Sequence, residues 1–218
     1  MRHRGAERSF HAQSTFSTEE PMTDRKEKER KAAAVYDRTK RFADRNAWVQ
    51  AGSGLFGLGT NLIVDVAAIP YYADLWNDIR NLYGRGKISI DAAGAYIRPN
   101  VGFLLADLLY DKVLGSIPLL GIPFNYVCAK ALTWRLGAWF GVLAALGEEG
   151  NPKETLVRST MQLAMQFFPA NKSLLSFEEP HKQRFVSFIA ALDGLTYAET
   201  ESRVNDALNV LEKGLQPA

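Results

Sequence analysis

At 218 residues, with 47% hydrophobic and 23% charged side chains, the chain has the size and composition of a globular domain that buries a core without staples. A net charge of +2 gives no case for a nucleic-acid binder, and a single cysteine excludes an intramolecular disulfide framework. The three histidines (His3, His11, His181) are scattered, so no zinc-ligand spacing is present and no cofactor is expected.

Residues 1–22 are polar, lack the apolar region of a secretory signal, and read as a disordered tail. Met22 opens a cleaner sequence and is expected to be the natural start, a point that mass spectrometry of the native amino terminus decides. Residues 23–50 form a basic charged helix. Arg25, Lys26, Lys28, Arg30, Lys31, Arg38, Lys40, Arg41 and Arg45 stand against Asp24, Glu27, Glu29, Asp37 and Asp44, nine against five. One reading is a solvated helix laced with i,i+4 pairs. The other is a basic collar beside a membrane, in which Arg38, Lys40, Arg41 and Arg45 contact anionic lipid.

The following segment, Ala51–Ala73, has one charge, Asp65, and is bent at Pro70. Its length suits a membrane span, although Gly, Ser, Thr and Asn dilute its apolarity. Gly52, Gly54, Gly57 and Gly59 are candidates for membrane contact or for close helix packing. Gly52-Ser-Gly54-Leu-Phe-Gly57 matches the spacing of a dinucleotide fingerprint, but Asp44–Gln50 ahead of it is no apolar strand. Gly54–Thr60 imitates a phosphate-binding loop without the lysine that loop requires.

Tyr72, Leu75, Trp76, Ile79, Leu82 and Tyr83 follow helical periodicity up to Gly84. Ser89 caps a short helix expected to end before Pro99, and Val101, Leu104, Leu105, Leu108 and Leu109 mark another. Asp107 and Asp111 are spaced i,i+4, which suits acid–base work but more commonly marks a solvated face.

Ile117–Leu146 is the most apolar run, charged only at Lys130 and Arg135. Pro123 and an Asn125 cap should open a helix reaching Gly147. As a membrane span it would hold Arg135 deep in the bilayer, at a cost of at least ~2.5 kcal/mol. It reads better as a central buried helix that carries Lys130 and Arg135 to internal partners, with Asp65 a candidate for one of them. Lys130–Trp134 and Arg135–Trp139 are i,i+4 pairs that suit cation–π contact. Cys128 is expected to be a buried, inert thiol.

Residues 148–218 read as soluble C-terminal helices. Asn151–Glu154 and Thr196–Glu199 are capping signals, and Phe185, Phe188, Ile189 and Leu192 form a buried stripe. Residues 51–147 form the apolar helical core. The expected fold is all-α, a compact domain of roughly seven to nine helices. No Gly-x-Ser-x-Gly or His-Glu-x-x-His motif supports a catalytic role, so no catalytic residue is assigned.

Three stretches resemble the YcjF-like family: Ile63–Ala67 with Asp74–Gly84, then Asn100–Leu104, then Ala131–Gly137. The texture is also similar, more weakly, to EcsC-like helical proteins. The resemblance implies a bacterial, all-α module at the cytoplasmic face of the inner membrane, peripheral or partly embedded, and otherwise cytoplasmic. It also implies a GTPase partner, which would act in trans because no GTPase domain is present, and it admits a homo-oligomer. The expected function is therefore a non-enzymatic, membrane-associated helical module that binds a protein partner, a small GTPase being the class implied. The alternative is a soluble all-α domain that binds a protein or an apolar ligand in its core.

Overall fold

A computed structural model describes residues 22–53, 68–104, 121–147, 154–165, 168, 176–196, 199 and 202. Among them the chain is all helical, with six helices: α1 (Met22–Ser53), α2 (Ile69–Leu82), α3 (Ile90–Leu104), α4 (Gly121–Ala145), α5 (Glu154–Met165) and α6 (Lys182–Leu192). The helix α4 touches all the others and is the hub of the fold.

The burial of α4 follows from its composition. From Val127 to Leu146 every residue except Lys130 is buried, so this stretch has no solvent face. The chain is already helical at Gly121, so Asn125 lies inside the helix and does not open it. No basic residue lies in its last turn, but the Arg85 Nε donates to the carbonyl of Ala144 at 3.3 Å, placing a cation at the negative end of the helix. Gly147, at φ 82°, ends it.

Packed antiparallel along α4 is α1, an orientation set by Val35 at Gly141, Thr39 at Gly137, Asn46 at Thr133 and Trp48 at Tyr126. The buried face of α1 is Ala32, Val35, Tyr36, Thr39, Ala43, Asn46 and Ala47, at i, i+3, i+4, i+7 spacing. The helix is thus a core element and not a solvated rod. Its pairs Arg25–Glu29, Lys28–Asp24 and Arg30–Glu27 lie off that buried face.

On α2, Ile69, Tyr72, Ala73, Leu75, Trp76 and Ile79 are buried, as the periodicity predicts. Pro70 occupies the first turn of α2, and most of the segment expected to bend at it, 54–67, lies outside the described residues. Trp76 stacks on Phe140 at 4.7 Å and 2°, and meets Tyr96 of α3 edge-on at 5.7 Å. Gly84 (φ 67°) closes α2, and the Asn77 amide both donates to and accepts from the backbone of Ile88 (3.1 and 2.8 Å), fixing the turn into α3.

The expectation of seven to nine helices overshoots partly at α3. Ser89 caps it, receiving the Ala92 N–H at 3.2 Å, but the helix then runs through Pro99 to Leu104. Two expected helices are therefore one across that boundary. The Asn100 amide donates to the Tyr96 carbonyl at 2.7 Å, and fully buried Leu104 anchors the far half. The sequence spans at the tail (1–21), 54–67, 105–120 and most of 197–218 lie outside the described residues. The capping box that opens the last expected helix is nevertheless formed: the Thr196 N–H donates to Glu199 Oε2 at 2.8 Å, and the Glu199 N–H donates to Thr196 Oγ1 at 3.4 Å.

Candidate functional site

Lys130 sits on the face of α4 turned toward α1 and the segment 176–180. Its ammonium lies 3.1 Å from Asp44 and 2.6 Å from Glu179. Lys40 completes a ring of alternating charge, 3.2 Å from Asp44 and 2.8 Å from Glu179. The four residues come from three segments of the chain, and two cations balance two anions. The expectation of an internal partner for Lys130 is met, but by Asp44 and Glu179; Asp65 lies outside the described residues.

Burial by itself would push both carboxyls up; the hydrogen bonds from Lys130 and Lys40 override it and hold Asp44 and Glu179 below their ordinary values. The hydrogen bond to Glu179 lifts Lys40. On Lys130, burial pulls down, but Glu179 and Asp44 outweigh it and the net shift is upward. All four groups are therefore held charged at neutral pH, the opposite of a proton donor or acceptor poised near pH 7. The cluster is a clasp. Beside it the Tyr36 hydroxyl donates to the Pro180 carbonyl at 3.1 Å and Lys182 pairs with Asp37 at 2.7 Å, so the stretch before α6 is strapped to α1.

These shifts fix the sign of the pH dependence. Carboxyls depressed in the folded protein contribute stability that is complete above their ordinary values of 4.5 (Glu179) and 3.8 (Asp44), and that drains as the pH falls through their lowered folded values. The lysines keep their contribution until the pH rises above their ordinary 10.5. Glu179→Gln should cost about 1–2 kcal/mol at pH 7, between an exposed pair and a fully buried one. Urea unfolding at pH 7 and pH 3 checks this, since the gap between parent and variant should shrink in acid.

Arg135 is 0% exposed. Its Nη1 donates to the carbonyl of Leu104 in α3 at 2.5 Å, so the buried cation is held by a backbone oxygen. Its guanidinium lies 5.9 Å over the Phe168 ring, and the Lys130 ammonium 5.9 Å over Tyr126. The described cation–π partners are thus not Trp139 and Trp134. Those indoles are turned into the core, Trp139 donating to Thr160 Oγ1 at 3.1 Å and Trp134 meeting Tyr36 at 4.9 Å. Cys128 is buried, as expected.

The four basic residues of α1 expected to contact lipid divide into two pairs. Arg38 is 2.6 Å from Asp78 of α2, and Lys40 belongs to the clasp. Arg41 and Arg45 are exposed and form no ion pair with a described residue; Arg41 donates only to the Asp37 carbonyl, at 3.3 Å. Next to them Trp48 is 71% and Val49 65% exposed. The Trp48 ring is steadied edge-on by Tyr126 at 5.5 Å. This outward face was legible as Arg41, Arg45, Trp48, Val49 at helical spacing, yet counting charges alone passes over the two apolar members.

Gly52 lies in the last turn of α1; Gly54, Gly57 and Gly59 lie outside the described residues, as do Asp107 and Asp111. The glycines that let described helices approach are Gly137 and Gly141, whose Gly-x-x-x-Gly spacing is the signal that reveals them. Among the described residues no three acidic, His or Cys side chains group as metal ligands, and no helix is long and apolar enough to cross a membrane. The chain matches no family model, no curated protein and no solved structure.

Proposed function

We propose that this chain is a non-enzymatic helical module that associates with a membrane surface and binds a protein partner there. The observation that carries the reading is the outward face of α1, where two exposed arginines that form no ion pair with a described residue adjoin an exposed indole and valine. Monomeric surfaces tolerate single exposed apolar residues, but an indole beside unpaired cations is the composition of a membrane interface. The next fourteen residues, Ala51–Val64, carry no charge, so the sequence stays compatible with an apolar phase beyond that face.

With α4 enclosed, attachment rests on α1 and on the uncharged segment after it. The partner class that the family resemblance implies is a small GTPase acting in trans. Flotation of the native protein with its membranes, followed by a carbonate wash, tests the reading. The protein should float and be released by the wash as a peripheral protein; recovery wholly in the unbound fraction would overturn it. The alternative, an all-α domain that acts by protein binding alone, draws support from the burial of Val127–Leu146. The same burial, with Trp76, Trp139 and Phe140 in mutual contact, speaks against a ligand in the core.

A further inference from the structure

Resting on that reading, we infer that the membrane contact is the stripe Arg41–Arg45–Trp48–Val49 and that its occupant is the headgroup region of an anionic bilayer. At 3.6 residues per turn these four positions span an arc of about 100° on α1. The buried residues Thr39, Ala43, Asn46 and Ala47 occupy the opposite side. At a rise of 1.5 Å per residue, Trp48 lies about 5 Å along the axis from Arg45 and about 10 Å from Arg41. An indole seated at headgroup depth would thus hold two guanidiniums within reach of lipid phosphates.

The acids of α1 that flank the stripe in sequence are already engaged: Asp37 holds Lys182, and Asp44 holds Lys40 and Lys130. The face is therefore locally cationic although the chain as a whole is nearly neutral. Arg38 and Lys40, equally basic in sequence, are excluded from the contact because Asp78 and Glu179 hold them. Lipid is favoured over an acidic protein because the stripe joins its cations to an indole and an aliphatic side chain and leads into the uncharged Ala51–Val64.

Trp48 also supplies the readout. The chain has four tryptophans, and Trp76, Trp134 and Trp139 are each 0% exposed, so Trp48 alone faces solvent. The full chain would be mixed with vesicles of phosphatidylcholine alone, or with one third phosphatidylserine, with and without brominated acyl chains. On anionic vesicles the emission should shift to the blue and be quenched by bromine, and partitioning should exceed that on neutral vesicles at least tenfold. Arg41→Gln with Arg45→Gln should lower partitioning about thirtyfold, each cation being worth about fivefold. Trp48→Phe should abolish the quenching, while Arg38→Gln leaves partitioning unchanged. Circular-dichroism melts of all variants control for folding.

If the parent floats but the double variant partitions equally well, the stripe is not the contact and membrane association itself survives. If no vesicle binds and the same substitutions instead release an acidic protein captured from cell extract, the face is a protein-docking surface. In that case both the stripe's lipid assignment and the membrane reading fall.

Discussion

Replacing Gly137 by Ala should destabilise the protein by about 2–3 kcal/mol, read as a lower urea midpoint and a melting temperature lower by on the order of 5–10 °C. A methyl group there would overlap Thr39 Cγ2 and Oγ1 and come within 2.9 Å of Thr39 Cβ. Thr39 is fully buried, short and branched at Cβ, so it has no flexible end to swing away, and the helix backbones must separate. The better helix propensity of Ala, about 1 kcal/mol, offsets only part of this. Thr39→Ala removes the two nearest atoms, and Thr39 Oγ1 has no hydrogen-bond partner among the described residues, so that change alone should cost little. In the double variant at least about 1 kcal/mol should return, a coupling expected only of residues in contact. Strictly additive losses would mean that α1 and α4 do not meet at this point.

Trp76→Ala should cost about 3–5 kcal/mol, the largest loss expected from a single substitution here. The side chain is fully buried and links three helices: it stacks on Phe140 of α4, meets Tyr96 of α3, and lies 6.3 Å from Trp139. Removing it opens a cavity lined by rigid rings that cannot collapse into it. Trp76→Phe should be milder, about 1–2 kcal/mol, because it keeps most of the stack and discards an indole N–H that has no described partner. Calorimetry ranks the two variants, and near-ultraviolet circular dichroism should lose the coupled signal of the stacked rings only in Trp76→Ala. A loss below about 1 kcal/mol for Trp76→Ala would show that the centre is loosely packed.

Sequence periodicity reads what repeats strongly and locally. The stripe of α2 and the run of α4 are both legible because Leu75, Trp76 and Ile79, or Leu132, Trp134 and Leu136, announce burial by themselves. The buried face of α1 is built of Ala32, Thr39, Ala43 and Asn46 set among charges, and it is enclosed through close approach to Gly137 and Gly141; their spacing marks a packing face but does not name α1 as its partner. Pro99 is a breaker by local rule, yet packing at Leu104 and the Asn100 amide carry the helix past it. The clasp escapes any local reading because Asp44, Lys130 and Glu179 lie far apart in the chain and meet only once three segments are folded. That Lys130 and Arg135 need internal partners could be read from their neighbours; the identity of those partners required the fold.

The pairing of α1 with α4 also sets a schedule for synthesis. The hydrogen bond from Asn46 to Thr133 joins residues 87 positions apart, and that from Tyr36 to Pro180 joins residues 144 apart. At about 5–20 residues per second, the ribosome leaves the inner face of α1 without its partner for roughly 4–17 s. That face is made of Ala, Thr, Asn, Tyr and a single Val rather than Leu and Ile, and charged residues flank it along the helix. A first helix that must wait so long for its last neighbours is thereby built to remain dispersed while it waits, leaving the strongly apolar α4 to arrive when a docking surface already exists.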